Sequence, residues 1–406
     1  MHEGSEPRSG SRRWRPGRRQ TLVVLVAVVL AAGIVALVWP RGETAAADPD
    51  NAITISRTGC GTGWTNPHGG AQTLEMANND SENGEAELVA VGGPNNGKVY
   101  GELDGIGIGT RAPMQVTLGP GSYAIRCVME DADPIDGRTV KIGGHATSNG
   151  GSVPVTSTDL LAPIKEYMAY LVKGVGTLVT QTDALSAAVR SGDLAQARKA
   201  WLPAHLTYET LGAAYDAFGD YDGEINGTTA GLPGGVQDPD FTGFHRVEYG
   251  LYHGESMASL VKVTDQLDGF VHGLRRDLPQ FQPQPLDIGL RSHEIMENAL
   301  QFELTGKTDE GSGTNLATAY ANAVGDREVL SVLRPILATR YPQLSDVDTW
   351  LNRFQALTLA QRRPDGTWTP LSRLSRSTRE QLDGALSELV EKLAPIAAIT
   401  EPRRTP

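Results

Sequence analysis

His205 with Glu209, His245 with Glu248, and His293 with Glu297 form three His–carboxylate pairs, spaced by 4, 3 and 4 residues. On a helix such spacing puts both side chains on one face, one turn apart. An imidazole nitrogen beside a carboxylate oxygen is a donor set that suits iron, manganese or zinc, whereas soft Cu(I) prefers thiolate or thioether sulfur. One pair alone decides nothing: with eight His in the chain, chance supplies about half a His-x-x-Glu match. Three pairs are harder to assign to accident.

The segment KAWLPAHLTYETLGAAYDAFGDYDGEING adds a polar stripe. His205, Glu209, Asp216 and Asp220 are separated by 4, 7 and 4 residues. On one continuous helix, at about 100° per residue, they fall within a sector of roughly 60°. Trp201, Leu202, Gly212 and Ala213 lie around them, the residue types expected to face other helices. A solvated face is the plain alternative for such a row. If the row points inward, its acids need compensation, because an unpaired buried carboxylate costs several kcal/mol or gives up its charge. Metal sites in bundle cores are assembled from facing helices in this way.

These residues need elements to hold them, and the chain divides by composition. Residues 1–20 carry six Arg and two Glu, a net of +4, so the formal total of −12 leaves −16 for the remainder. Thr21–Pro40 is uncharged and long enough to span a membrane. With the basic flank retained inside, it predicts a single-pass anchor that leaves the following domains outside the cytoplasm. A cleaved signal segment, with release to the periplasm or medium, is the alternative. The acidic exterior excludes nucleic acid as an expected partner.

Residues 49–145 read as a β-sandwich: AITIS, AELVAVG, MQVTLG, SYAIRCVM and RTVKIGG are short apolar runs separated by Gly, Pro, Asn and Asp. The chain has two Cys, Cys60 and Cys127. In an oxidising compartment a disulfide between them is the default, with paired thiolate ligands as the minor alternative. A blue-copper site needs His and Met placed after its Cys, and CVMEDADPIDG does not supply them. Glu85, Glu87, Glu130 and Asp131 leave a second, weaker hard-cation site as a candidate, with exposed loop acids as the plainer explanation.

Residues 146–158 form a Gly/Ser/Thr-rich linker, and 159–398 carry helical periodicity. Asp159 is the expected N-cap of the first helix, and the SGD at 191–193 ends it and caps the next. Helices follow at about 193–219, 241–253, 256–278, 286–305, 314–340, 346–361 and 375–398, a length that two stacked four-helix bundles account for.

The words KAWLPAHLTYE, AFGD, DPDFTGFHRVEYGLY and HEIMENALQFELTGK together resemble the imelysin-like family, whose hallmark is His-x-x-Glu. With LGPGSYAIRC, which is similar to the end of a cupredoxin domain, they resemble the exported iron-binding members that carry a cupredoxin-like domain before the helical one. The resemblance implies two four-helix bundles, iron as Fe2+ or Fe3+ with zinc or copper as alternatives, and a membrane iron permease and a haem peroxidase as partners. It carries His245 and Glu248 over as metal ligands, adds Glu209, and gives Asp220 as a further ligand or supporting group. Glu294, with Glu297 close behind, competes for an acidic position on a following helix, and Glu85 or Glu87 matches the acid of a site in the β domain. Cys60 and Cys127 match the two Cys of that domain.

Two other functions are weighed. The imelysin-like family was first classed with the peptidases, but a zinc peptidase usually needs His-Glu-x-x-His, and HEIM is followed by Glu297 where the second His would stand. Binding of an acidic polysaccharide would need cations to bridge it to so acidic a surface. The reading taken is a binding protein rather than an enzyme.

Overall fold

The structure, a computed structural model, describes residues 52–281 and 283–404. The basic tail and the apolar segment Thr21–Pro40 lie outside the described residues. Among the described residues no helix is long and apolar enough to cross a membrane.

The N-terminal region is built of β1 (Ile53–Ile55), β2 (Gly70–Asn78), β3 (Gly84–Ala90), β4 (Val99–Ile106), β5 (Arg111–Leu118), β6 (Gly121–Met129), β7 (Ile135–Asp136) and β8 (Val140–Ile142). One sheet has the order β1-β2-β5, with β1 parallel to β2 and β5 antiparallel to it. The other runs β4-β3-β6-β7, with β8 also on β6. Alternation explains the packing: in β5, Met114, Val116 and Leu118 are buried while Arg111, Pro113 and Gln115 face out. They join Ile53, Ile55 and Met76 of their own sheet, and Leu88, Ile125 and Cys127 of the other, in one core. Cys60 and Cys127 are joined in a disulfide with Cα atoms 5.8 Å apart. The bond ties the loop after β1 to a central strand of the opposite sheet and removes both sulfurs as thiolate ligands.

The C-terminal region is all helical: α1 (Ser157–Arg190), α2 (Leu194–Glu209), α3 (Asp220–Asn226), α4 (Gly243–Tyr252), α5 (Met257–Asp277), α6 (Pro285–Asn298), α7 (Asn315–Leu337), α8 (Leu344–Leu359) and α9 (Arg376–Thr400). The first cap differs from expectation by three residues. Thr156 is the N-cap of α1, and Asp159 sits at N3 and accepts from the Thr156 backbone N–H, forming a capping box. Asp193 caps α2 by accepting from the Gln196 N–H.

The continuous helix expected to residue 219 is broken. α2 stops at Glu209, short 3-10 turns follow at Gly212–Ala214 and Asp216–Phe218, and the chain re-enters helix only at Asp220. Gly219, with φ of +60°, makes the reversal that a side-chain-bearing residue would resist. Asp220 therefore leaves the stripe and is exposed.

The long helices form two groups. α1, α2, α4 and α5 pack together, as do α6, α7, α8 and α9, and the groups meet chiefly where α7 crosses α2 and α1. One apolar core runs through both, from Leu160 and Trp201 to Leu351 and Leu389. The β and helical regions are tied by charge: Arg403, after α9, is paired with Glu102 and lies 3.9 Å from Glu87, while Arg404 donates to the Met129 carbonyl. Because the disulfide cross-links only the β region, reduction should lower that region's unfolding free energy by about 2–4 kcal/mol and leave the helical transition in place. Urea unfolding with and without reductant, followed by tryptophan fluorescence and far-UV CD, checks this.

Candidate metal centre

α2 presents His205 and Glu209 inward one turn apart, and α4 presents His245 and Glu248. Two local devices fix the angle between these helices. The Trp201 indole N–H donates to the Phe244 carbonyl at 3.0 Å, tying α2 to the turn that carries His245. Gly243 begins α4 with φ of +78°, and a Cβ there would lie 2.2 Å from the Ile225 carbonyl oxygen, so only glycine lets the helix start this close to α3. The result sets the His205 and His245 rings 5.3 Å apart, with Trp201 stacked on His205 at 5.0 Å.

A fifth residue joins them that the sequence reading passed over: Glu303. It ends a π turn, Ala299–Glu303, in which the Leu304 N–H reaches back five residues to the Ala299 carbonyl at 2.9 Å. Continuous α periodicity would put Glu303 on the buried face of Ser292, Met296 and Ala299. The additional residue in the turn rotates it back by about 100°, toward the cavity face of Asn298. The words ELTGK contained it, but only the π turn shows where it points.

His205, Glu209, His245, Glu248 and Glu303 are all between 2% and 7% exposed, so their charges are settled within the protein. Glu209 accepts from Asn322 of α7 at 2.7 Å and from Asn226 of α3 at 2.8 Å, with His205 Nε2 at 3.0 Å. Burial pushes its carboxyl up, but His205 and the two amides outweigh burial and hold it below the ordinary value. Glu248 behaves alike: burial raises it, and His245 at 3.5 Å with the Ser312 N–H at 3.0 Å bring it below. Glu303 is different. Burial, reinforced by the Glu209 charge, pushes it up to about 7 against the pull of Thr308 and Asn315, which donate to it.

Around the cluster lie two cavities. An outer one of about 160 Å³ is lined by Glu209, Asn226, His245, Glu294, Glu303 and Asn322, with Arg291 and Phe302 also on its wall. A smaller inner one is lined by His205, His245, Glu248, Glu303 and Asp309. Nδ1 of His205 and Nδ1 of His245 have no hydrogen-bond partner. Orphaned buried imidazole nitrogens among carboxylates are what a metal ion would satisfy.

The other predicted residues fall outside this cluster in varying degree. Glu294 reaches the wall of the outer cavity, paired with Arg291. Glu297, between the lining positions Ile295 and Asn298, turns to the surface with His293 at 3.8 Å. Asp220 lines neither cavity. In the β region Glu87 is engaged by Arg126 at 3.3 Å, and Glu85 lies near Asp104 and Arg404. Among the described residues, three ligating atoms within 4.8 Å of one another occur only at Asp183, Asp268 and His272, on the surface where acids cluster without an ion.

Glu303 has a consequence for stability. Its folded pKa of about 7, against an ordinary 4.5, means that the folded state holds the proton more tightly than the unfolded chain. The metal-free protein is therefore penalised as pH rises through that window, by on the order of 1–3 kcal/mol. Glu303→Gln removes the penalty. Thermal unfolding of the metal-free pair should separate them at about pH 8, with the variant more stable, and bring them together near pH 5; parallel pH profiles contradict the assignment.

The sequence model of the Imelysin family (Peptidase M75) matches residues 163–396. The chain is 28% identical over 302 residues to the "Iron uptake system component EfeO" of Yersinia pseudotuberculosis serotype I (strain IP32953), covering 74% of this chain and 79% of that one. It is 26% identical over 383 residues to the protein of the same name from Escherichia coli O6:K15:H31 (strain 536 / UPEC), covering 94% and 98%. The relatives are named for uptake and the family for a peptidase. The family match begins in the first turns of α1 and ends in the last turns of α9, taking in every helix that builds the cluster, and the chain therefore belongs to the imelysin family.

Proposed function

We propose that this chain is the extracytoplasmic iron-binding component of an EfeUOB-type uptake system, capturing iron at the buried cluster and delivering it to an EfeU-like membrane permease. The observation that carries the reading is the cluster: two imidazoles with orphaned nitrogens and three buried carboxylates, in a chain similar along most of its length to iron uptake components. His245, Glu248, Glu209 and Glu303 are the ligands of this reading, with Glu294 at the mouth. The donors are hard oxygen and borderline nitrogen, a set that fits Fe2+ or Fe3+ and also zinc, and the ion is cargo rather than a resident cofactor.

The remaining parts fit around that centre. The β-sandwich is read as cupredoxin-like, and an EfeB-like haem peroxidase as the further partner. With Arg126 and Arg403 close to it, Glu87 has internal partners, so capture is assigned to the helical cluster. Retained as an anchor, Thr21–Pro40 would hold the binding domains over a short distance from the permease.

Isothermal titration of the purified protein with Fe(II) under anaerobic conditions, and with chelated Fe(III), tests the reading. His245→Ala combined with Glu248→Ala should weaken binding by about 100-fold or more. Unchanged affinity in that variant, with the fold intact by CD, rules out the site. Cleavage of peptides by the metal-loaded protein, lost in Glu248→Gln, would instead bring back the peptidase reading.

A further inference from the structure

The two cavities differ in what they can hold. Six water oxygens at about 2.1 Å from a metal ion sweep a sphere of about 40 Å³. The outer cavity, with about 160 Å³ open to the centres of water molecules, contains that sphere several times over, whereas the inner one, with about 10 Å³, does not admit it. Their linings differ too. Glu209, Glu294 and Glu303 line the outer space with one guanidinium, Arg291, which is itself paired with Glu294, so acceptors and negative charge are in excess there. Both imidazoles, His205 and His245, line the inner one.

The spacing of the donors points the same way. Donors in direct contact with one bare ion lie within about 4.4 Å of one another, and no three ligating atoms of the cluster come within 4.8 Å. Groups that accept hydrogen bonds from coordinated water stand farther out, and across a six-water shell they are as much as about 8 Å apart. A spread too wide for direct contact is thus open to an ion that keeps its shell. Coordinated water is chiefly a hydrogen-bond donor, and the three carboxylates of the outer wall are acceptors only when ionised. At the boundary between the cavities stands a buried group without a partner: His245 is 3% exposed, lines both spaces, and has no hydrogen bond at Nδ1.

We propose that the outer cavity receives the incoming divalent cation with its water shell intact, held by hydrogen bonds from coordinated water to Glu209, Glu294 and Glu303, and that waters give way to protein donors only from His245 inward. The inference rests on the proposed capture of iron at the cluster and adds its first stage and the form of the substrate, a hydrated divalent ion. A trivalent ion acidifies its waters far more strongly, so an intact shell near neutral pH belongs to Fe2+ and not to Fe3+. The narrow inner space then acts as a filter. An ion advances only by losing water, a step that Mg2+ makes reluctantly, so the two cavities in series separate transition-metal ions from Mg2+ by dehydration as well as by donor type.

Hexaamminecobalt(III) tests it, because its six ammonia ligands do not exchange and it can be held only through their hydrogen bonds. Calorimetry of the full chain in physiological salt, where exposed charges are largely screened, should show the complex binding. Glu294→Gln and Glu303→Gln should each weaken that binding by about tenfold or more, while Asp183→Asn at the surface cluster should leave it unchanged. Titration with Mn(II), read by electron paramagnetic resonance, separates this stage from capture itself. No binding of the complex, with Mn(II) still bound and lost in His245→Ala, overturns the hydrated stage and leaves the capture function standing. Binding of the complex that is indifferent to both Glu294→Gln and Glu303→Gln places it on the acidic surface and overturns the outer cavity as its site. Binding of neither probe, or of both without sensitivity to any of these cluster variants, overturns the stage and the function on which it rests.

Discussion

The Glu209 carboxylate is the point at which the two groups of helices are fastened to one another. It belongs to α2 in the first group, yet it is held by Asn322 of α7 in the second, and by Asn226 of the short α3 between. Asn322 also reaches the Glu209 backbone carbonyl at 3.3 Å, at the end of α2 where helical carbonyls lack partners. A buried carboxylate left without such donors would be destabilising by several kcal/mol. The same contacts that lock the helices together therefore keep an ionised acid in the interior, facing a cavity.

That acid imposes conditions on its neighbours. Glu303 shares the cavity and carries part of the cost, its carboxyl driven toward neutrality by burial and by the Glu209 charge. Glu248 is pushed up by burial and brought below the ordinary value by His245, the Ser312 N–H and the more distant His205. Fixing so many acids in a largely buried site leaves the metal-free cluster electrostatically strained, and a bound cation would relieve that strain while satisfying the imidazole nitrogens. The π turn contributes to this arrangement by aiming Glu303 into the cavity at the expense of regular α-helix hydrogen bonding.

Much of this was legible in the residues. The pairs at 205/209 and 245/248 lie within uninterrupted helices, where spacing translates directly into direction, and both point inward. The β-to-helix change of period and the Cys60–Cys127 bond follow from local pattern and compartment. Failures arose where a helix is not regular. A periodicity argument assumed that α2 continued through Gly212 and Gly219, so it carried Asp220 into a stripe that the chain leaves at Thr210. It likewise had no means of seeing the π turn, and so no reason to prefer Glu303. His293 and Glu297 illustrate a third limit: helical spacing pairs side chains but does not say which face is buried, and theirs is at the surface.

Diffraction from iron-loaded crystals, collected on both sides of the iron absorption edge, tests the central claim most directly. The account predicts anomalous density among His205, Glu209, His245, Glu248 and Glu303, between α2, α4 and the π turn. Iron found only at the surface trio of Asp183, Asp268 and His272, or beside Glu85 and Glu87, with the buried cluster empty, would contradict it.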